Sequence, residues 1–193
     1  MAVAPAARPE LPAWTCLERV GSGASAEVWR AHNPRGEVAA IKIAKPEMAD
    51  VVRAEARMLR DLSRRWGARL VGEGETSSGE FFFATEWLEG EKLEPTSIAT
   101  RDRARTAAVV AHAVGRALAE LHDAGLRHGD VKPDNIVMHS APRQDRARDR
   151  GASLIDLGLA TSHETSARGG TARYASPELR ANAESVGPAS DSF

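Results

Sequence analysis

Cysteine is almost missing from this chain: Cys16 stands alone among 193 residues. That excludes an intrachain disulfide and a cysteine-based metal site, and it fits a reducing, cytoplasmic compartment. Charge of one sign is missing too. The 26 lysines and arginines against 27 aspartates and glutamates leave a net charge of -1, so no global basic field exists to hold nucleic acid or an anionic membrane. Long apolar runs are absent: the most apolar stretch, Thr106 to Leu121, is broken by His112 and Arg116 and is too short and polar to cross a bilayer. The opening residues, Met1 to Pro12, carry prolines but no apolar export core, so residues 1–13 read as a flexible lead-in. No internal repeat is visible. Aromatic residues make up only 5%, yet 42% hydrophobic and 27% charged residues are an ordinary soluble composition with enough apolar material for a packed core.

What is present reads in two parts. Between Trp14 and Ala44, β-type runs at Trp14 to Val20, Ala26 to Ala31 and Glu37 to Ile43 are broken by glycine and Asn-Pro signals, which predicts an antiparallel meander. From Met48 to Arg65, Val51, Val52, Met58, Leu59 and Leu62 recur at a helical period among charges. Two more strands follow, Arg69 to Gly72 and the Phe-rich Glu80 to Trp87, around a turn at Ser77 to Gly79. This first part is a five-stranded sheet with one helix, ending near Gly90. The second part opens with a helix over Asp102 to Asp123, where Val110, Val114, Ala117 and Leu121 share a face and Gly125 supplies a stop. The spacing predicts a central, largely buried helix. Short strands at Asn135 to Met138 and Ser153 to Ile155 flank a mixed-charge loop, Arg143 to Arg150, and the residues from Thr161 to Phe193 read as loop.

Several residues in this frame can carry chemistry. Gly21 to Val28 (GSGASAEV) lies between two predicted strands; its glycines let backbone N–H groups approach phosphate oxygens, although a Gly-rich hairpin explains it equally. It does not open a helix, as a dinucleotide loop must. Lys42 sits in an apolar strand (AAIKI) in a chain whose other lysines are only Lys45, Lys92 and Lys132, so a compact ammonium there either snorkels or meets an anion. Glu55 on the first helix is one such anion; pairing with a neighbouring arginine at the surface is the alternative. His128 to Asn135 (HGDVKPDN) and Ile155 to Gly158 (IDLG) place two carboxylates, a lysine and an amide in two short stretches. Asp130 can accept a proton from an attacking hydroxyl, Lys132 can neutralise a transferring phosphoryl group, and Asn135 with Asp156 offers hard oxygen ligands for Mg²⁺.

With these motifs in this order, the sequence resembles a eukaryotic-like, bacterial-type Ser/Thr protein kinase catalytic domain from about Leu17 to Phe193. The resemblance implies an α+β, two-lobed fold: a five-stranded antiparallel N-lobe over residues 14–90 and a mainly helical, incomplete C-lobe over 91–193. It implies ATP and Mg²⁺ as cofactors and a protein Ser or Thr hydroxyl as acceptor. Gly21, Ser22, Gly23 and Ala24 would lie over the phosphates, Val28 and Ala40 against the base, and Lys42 on the α- and β-phosphates braced by Glu55. Glu86, Trp87 and Leu88 resemble the hinge, which makes Thr85 the gatekeeper. Asp130 and Lys132 match the catalytic pair and Asn135 and Asp156 the metal ligands. Leu59, His128 and Leu157 would form the hydrophobic column. Gly170 to Glu178 resembles the substrate end of the activation segment, and Asp191 the aspartate that opens the next large helix. An alanine- and arginine-rich composition points to a bacterial source.

The chain also departs from the pattern. Gly129 replaces the usual arginine, so a phosphate on the activation segment lacks its usual partner, and activity independent of phosphorylation at Thr165, Ser166 or Thr171 is expected. Leu157 replaces the usual Phe, a mild change of shape. The match stops where the family's later helices are due, so the 193 residues are expected to be a fragment, poorly stable and weakly active on their own. A nucleotide-binding scaffold without chemistry and a small-molecule phosphotransferase of the same broad fold are the alternatives.

Overall fold

The computed structural model describes residues 8–62, 67–96, 98–139, 151–162, 171, 173–181 and 186–192. Chain contacts divide it into two compact units, Met1–Asp61 with Arg69–Trp87, and Leu62–Ala68 with Leu88–Phe193.

The first unit runs β1 (Thr15–Ser22), β2 (Ala26–His32), β3 (Val38–Ala44), α1 (Ala49–Asp61), β4 (Leu70–Glu75) and β5 (Phe81–Glu86), and its antiparallel sheet has the order β1-β2-β3-β5-β4. The β2–β3 turn closes because the Asn33 side-chain oxygen accepts the N–H groups of Arg35 and Glu37, with Gly36 supplying a positive φ of 80°. Alternation then sorts the side chains. Cys16, Trp29, Ala31, Ala39, Ile41, Ile43, Phe82 and Ala84 form one buried cluster, which leaves Val28, Ala40, Lys42, Phe83 and Thr85 for the other face. Helix α1 packs on β3, β4 and β5 through Val52, Glu55, Ala56 and Leu59, a single buried stripe at helical spacing. Strand β5 is therefore covered on both faces, which explains its unbroken apolar run.

Two features of this unit differ from the sequence reading. Strand β4 continues to Glu75 through Gly72 and Gly74, because its pairing with β5, a non-local interaction, carries a glycine-rich stretch that looks locally like a turn. Residues 8–13 are not a bare lead-in: Leu11 bridges to Trp14, both pack on the buried cluster, and the Glu10 carbonyl accepts the Ser77 N–H.

The second unit holds β6 (Gly90–Lys92), α2 (Arg103–Asp123), β7 (Leu126–Arg127), β8 (Ile136–His139), β9 (Ala152–Leu154), β10 (Thr161–Ser162) and the one-turn helix α3 (Pro177–Arg180). Its strands form two small sheets, β6-β8-β9 and β10-β7. Helix α2 stops where expected, with Gly125 at φ 75° donating its N–H to the His122 carbonyl.

The expectation of a largely buried α2 is corrected. Only Val114, Leu118 and Leu121 are buried; the side that lies on β7 and β9 is covered, whereas Val110, Val114 and Leu118 line an open groove of about 680 Å³ with Val131, Ile136 and Leu179. The stretch after Thr161 is also not all loop, since it contains β10, α3 and a 3-10 turn at Pro188–Ser192. The mixed-charge stretch Arg143 to Arg150 lies outside the described residues.

Candidate active site

In the first unit, strand register assembles one row of the predicted residues. Gly21 pairs with Val28, Val28 with Lys42, and Ala40 with Thr85, so Gly21, Val28, Lys42, Ala40 and Thr85 share the face that α1 packs against. The glycine loop is a hairpin tip in which the Gly23 N–H bonds to the Ala26 carbonyl at 2.9 Å, and Ser22, Gly23 and Ala24 are exposed. Lys42 has found its anion. Its Nζ donates to both carboxylate oxygens of Glu55, at 2.9 and 2.7 Å, and the side chains are 12% and 3% exposed. The surface-arginine alternative for Glu55 is therefore set aside: its place in the buried stripe turns it toward the sheet. Thr85 is buried at the end of β5. Beside it, the Glu86 carboxylate accepts the Arg69 N–H, and the Trp87 N–H bonds to the Val38 carbonyl.

The second unit holds the other set. After β7 the chain turns at Gly129, whose φ of 78° is in the left-handed region, and a Cβ there would stand 2.9 Å from the Leu159 carbonyl oxygen; the Gly129 departure therefore suits the local backbone. Asp130 is the hub. Its Oδ2 accepts from Lys132 Nζ at 2.6 Å, and its Oδ1 accepts from both the N–H and the hydroxyl of Thr171 at 2.9 Å. Lys132 also donates to the Thr171 hydroxyl at 2.8 Å. Burial pushes the pKa of the Asp130 carboxyl up, but the bonds from Lys132 and Thr171 and the Lys132 charge outweigh it and hold the group below the usual carboxylate range. It is an ionised acceptor at neutral pH.

Asn135 closes the loop. Its amide nitrogen donates to the Asp130 carbonyl at 2.9 Å, which turns its side-chain oxygen away from that bond as the acceptor. The Asn135 carbonyl accepts the Ile155 N–H at 2.8 Å, tying this residue to the stretch that carries Asp156. Among the described residues no three His, Cys, Asp or Glu side chains cluster as a metal cage. A carboxylate and an amide oxygen nonetheless fit Mg²⁺, which takes few protein ligands and completes its shell with water and phosphate oxygens.

Asp191 supports the loop from behind. Buried in the 3-10 turn, it accepts the N–H groups of His128 and Gly129 at 2.7 and 2.8 Å and stands 3.0 Å from His122 Nε2. The sequence singles out Asp191 only as the start of a helix; no local pattern announces His122 or the buried Arg127, which bonds to the Thr161 hydroxyl and the Val186 carbonyl. His128 and Leu157 are fully buried in this unit, and Leu59 is buried in the other.

His128 carries a pH prediction. Burial depresses its basicity despite the nearby Asp191, Asp156 and Asp130 charges, and the bonds made by its ring suit a neutral imidazole, Nδ1 accepting from Asp130 N–H and Nε2 donating to the Ile155 carbonyl. The unfolded state takes up this proton near pH 6.5 and the folded state does not, so stability is lost as pH falls through that value. The melting temperature should drop by about 2–4 °C between pH 7.5 and 5.5 for each kcal/mol lost, and His128→Leu should flatten that slope. An equal slope in the variant would assign the effect elsewhere.

Comparison with known proteins places this geometry. The chain matches the protein kinase domain family over residues 14–193, and it belongs to that family. It is 34% identical over 187 residues to the serine/threonine-protein kinase PknA of Mycobacterium tuberculosis, covering 90% of this chain and 42% of that protein. It is 29% identical over 184 residues to serine/threonine-protein kinase pkn2 of Myxococcus xanthus, covering 87% of this chain and 21% of that protein. With the probable serine/threonine-protein kinase PkwA of Thermomonospora curvata it shares 29% identity over 195 residues, 92% of this chain and 24% of that protein. The chain thus spans less than half the length of these relatives.

Proposed function

We propose that this chain transfers the γ-phosphoryl group of ATP to serine and threonine hydroxyls of proteins. The observation that carries the reading is the Asp130–Lys132–Thr171 triangle: an ionised carboxylate that already holds one hydroxyl at 2.9 Å, with an ammonium 2.8 Å from the same hydroxyl oxygen. A substrate hydroxyl in the place of the Thr171 hydroxyl would give its proton to Asp130 as it attacks, while Lys132 offsets negative charge on the transferring group. Lys42, oriented by Glu55, binds the α- and β-phosphates. The backbone of Gly21, Ser22, Gly23 and Ala24 covers the phosphates, and Val28, Ala40, Thr85, Glu86 and Leu88 receive the base. Asn135 and Asp156 would hold Mg²⁺, which when bound would neutralise charge on the phosphate oxygens. Among the described residues no helix is long and apolar enough to cross a membrane; the reaction is assigned to the cytoplasm on the lone cysteine, Cys16, which fits a reducing compartment.

The Lys132–Thr171 link favours a protein acceptor over a small molecule, because it ties the catalytic loop to the segment that resembles the peptide-binding end. The test is intact-mass detection of phosphate incorporated from Mg²⁺-ATP into a generic protein substrate and into the enzyme itself. Incorporation that disappears in Asp130→Asn supports the kinase. Nucleotide binding without transfer selects the scaffold reading, and a free hydroxylated small molecule as sole acceptor selects the third.

Regulation by segment phosphorylation is not expected, because Gly129 offers no guanidinium. Thr165 and Ser166 lie outside the described residues; Thr165→Ala and Ser166→Ala should keep the rate within about twofold, the scale of a side chain that touches no reacting group. A tenfold loss at either would show that phosphate there finds another cation.

A further inference from the structure

We infer that Arg53 and Arg60 of α1, clamped onto Glu75 and Glu73 of β4, are positioning residues that hold α1 in the register where Glu55 meets Lys42. The inference rests on the kinase reading above and concerns the control of its Lys42–Glu55 pair. Arg53 reaches Glu75 at 3.1 Å and Arg60 reaches Glu73 at 2.5 Å. The arginines are two helical turns apart and so lie on one stripe of α1. Glu73 and Glu75 are two residues apart and so project from one side of β4. The Arg53 guanidinium also lies 4.2 Å from the centre of the Phe81 ring, and Phe81 is the cross-strand partner of Glu75.

This attachment refines what the buried stripe of α1 sets coarsely. Val52, Ala56 and Leu59 turn one face of α1, and Glu55 with it, toward the sheet, but apolar burial is non-directional and resists small rotations and sliding only weakly. With side chains a helix is about 10–12 Å across, so a turn of about 30° moves a side-chain tip by about 3 Å. That is enough to separate Glu55 from Lys42, which meet at 2.7 Å. Attachment at one point leaves a pivot. Attachment at two points on one stripe, with helix and strand running in opposite senses, resists rotation and sliding together. Strand β4 is built for it: Gly74 lets the Phe82 ring approach one side, where a Cβ would meet ring atoms at 3.2 Å, and the glutamates alternate with it on the other.

The test is charge reversal with restoration. In phosphate-incorporation kinetics, Glu73→Lys with Glu75→Lys should lower kcat by about 3- to 10-fold, the range for two exposed ion pairs that act together. Adding Arg53→Glu and Arg60→Glu should restore the rate to within about twofold, and the wild-type rate should fall as salt screens the pairs. A merely structural role predicts a lower melting temperature with kcat unchanged when measured well below it, and that result overturns the inference, as does a loss of rate that the restored charges do not recover. If wild-type protein transfers no phosphate, the kinase reading fails instead. The clamp is then read by amide hydrogen exchange across α1: protection lost on reversal and regained on restoration upholds it, and protection indifferent to these charges overturns it.

Discussion

Asp130→Asn should abolish phosphoryl transfer and leave the fold standing. Asparagine keeps an oxygen that can accept the Thr171 N–H and hydroxyl bonds, both 2.9 Å in length, but it cannot take up a proton. Loss of a positioned base costs about 10²–10⁴ in rate. The structural cost is modest, because the Lys132 ammonium paired with Asp130 is partly exposed and water can solvate it once the charge is gone. The measurement is kcat alongside a melting curve. A variant within tenfold of wild type would mean that Asp130 orients the loop without accepting the proton. A collapsed melting curve would make the carboxylate a structural hub first, and Asp130→Ser, which leaves room for water at the acceptor position, would then be compared at a lower temperature.

The second large effect concerns the Lys42–Glu55 pair and separates stability from activity. Glu55 is almost fully buried and Lys42 nearly so, so Glu55→Leu takes a bidentate carboxylate from an ammonium in a poorly solvated place, and breaking a buried pair in this way typically costs about 3–5 kcal/mol. At about 2–4 °C per kcal/mol for a chain of this size, the melting temperature should fall by roughly 6 °C or more. The double change Lys42→Met, Glu55→Leu replaces the ion pair with apolar volume and should recover most of that loss, since such replacements are often neutral or stabilising. Its phosphoryl transfer should stay absent, because the cation proposed for the α- and β-phosphates is gone. A double variant that is both stable and active would remove this pair from the mechanism.

The catalytic stretches were readable because each is local: HGDVKPDN and IDLG carry their chemistry in residues close along the chain. Strand patterning was readable for the same reason, since alternation in β2 and β3 needs no knowledge of partners. What escaped depends on distant partners. Glu55 could have faced an arginine at the surface, and only the packing of α1 on β5 decides for Lys42. Strand β4 was readable only as far as Gly72, and its continuation to Glu75 through Gly74 comes from pairing with β5. Strand β6, with the sequence GEK, has no apolar pattern at all and exists through pairing with β8. Asp191 is far along the chain from the catalytic loop, yet it accepts that loop's N–H groups. Burial of α2 was overestimated because periodicity reports that an apolar face exists and says nothing of how much of it is covered.

Among the described residues other than glycine, only Asp156 adopts a positive φ, at 69°. Most side chains pay for that conformation with a Cβ clash, while aspartate and asparagine tolerate it because a short polar arm can bond to nearby backbone, as the Asp156 carboxylate does to the Gly158 N–H at 3.1 Å. On the proposed reading of Asp156 as a Mg²⁺ ligand, the position filters the amino-acid alphabet twice. Glycine satisfies the backbone but has no oxygen to offer a cation; glutamate offers the oxygens but fits the backbone badly. Asparagine fits but brings no charge. Aspartate alone passes both filters, so on that reading Asp156→Glu and Asp156→Asn each fail for a different reason, the first through the backbone and the second through the missing charge.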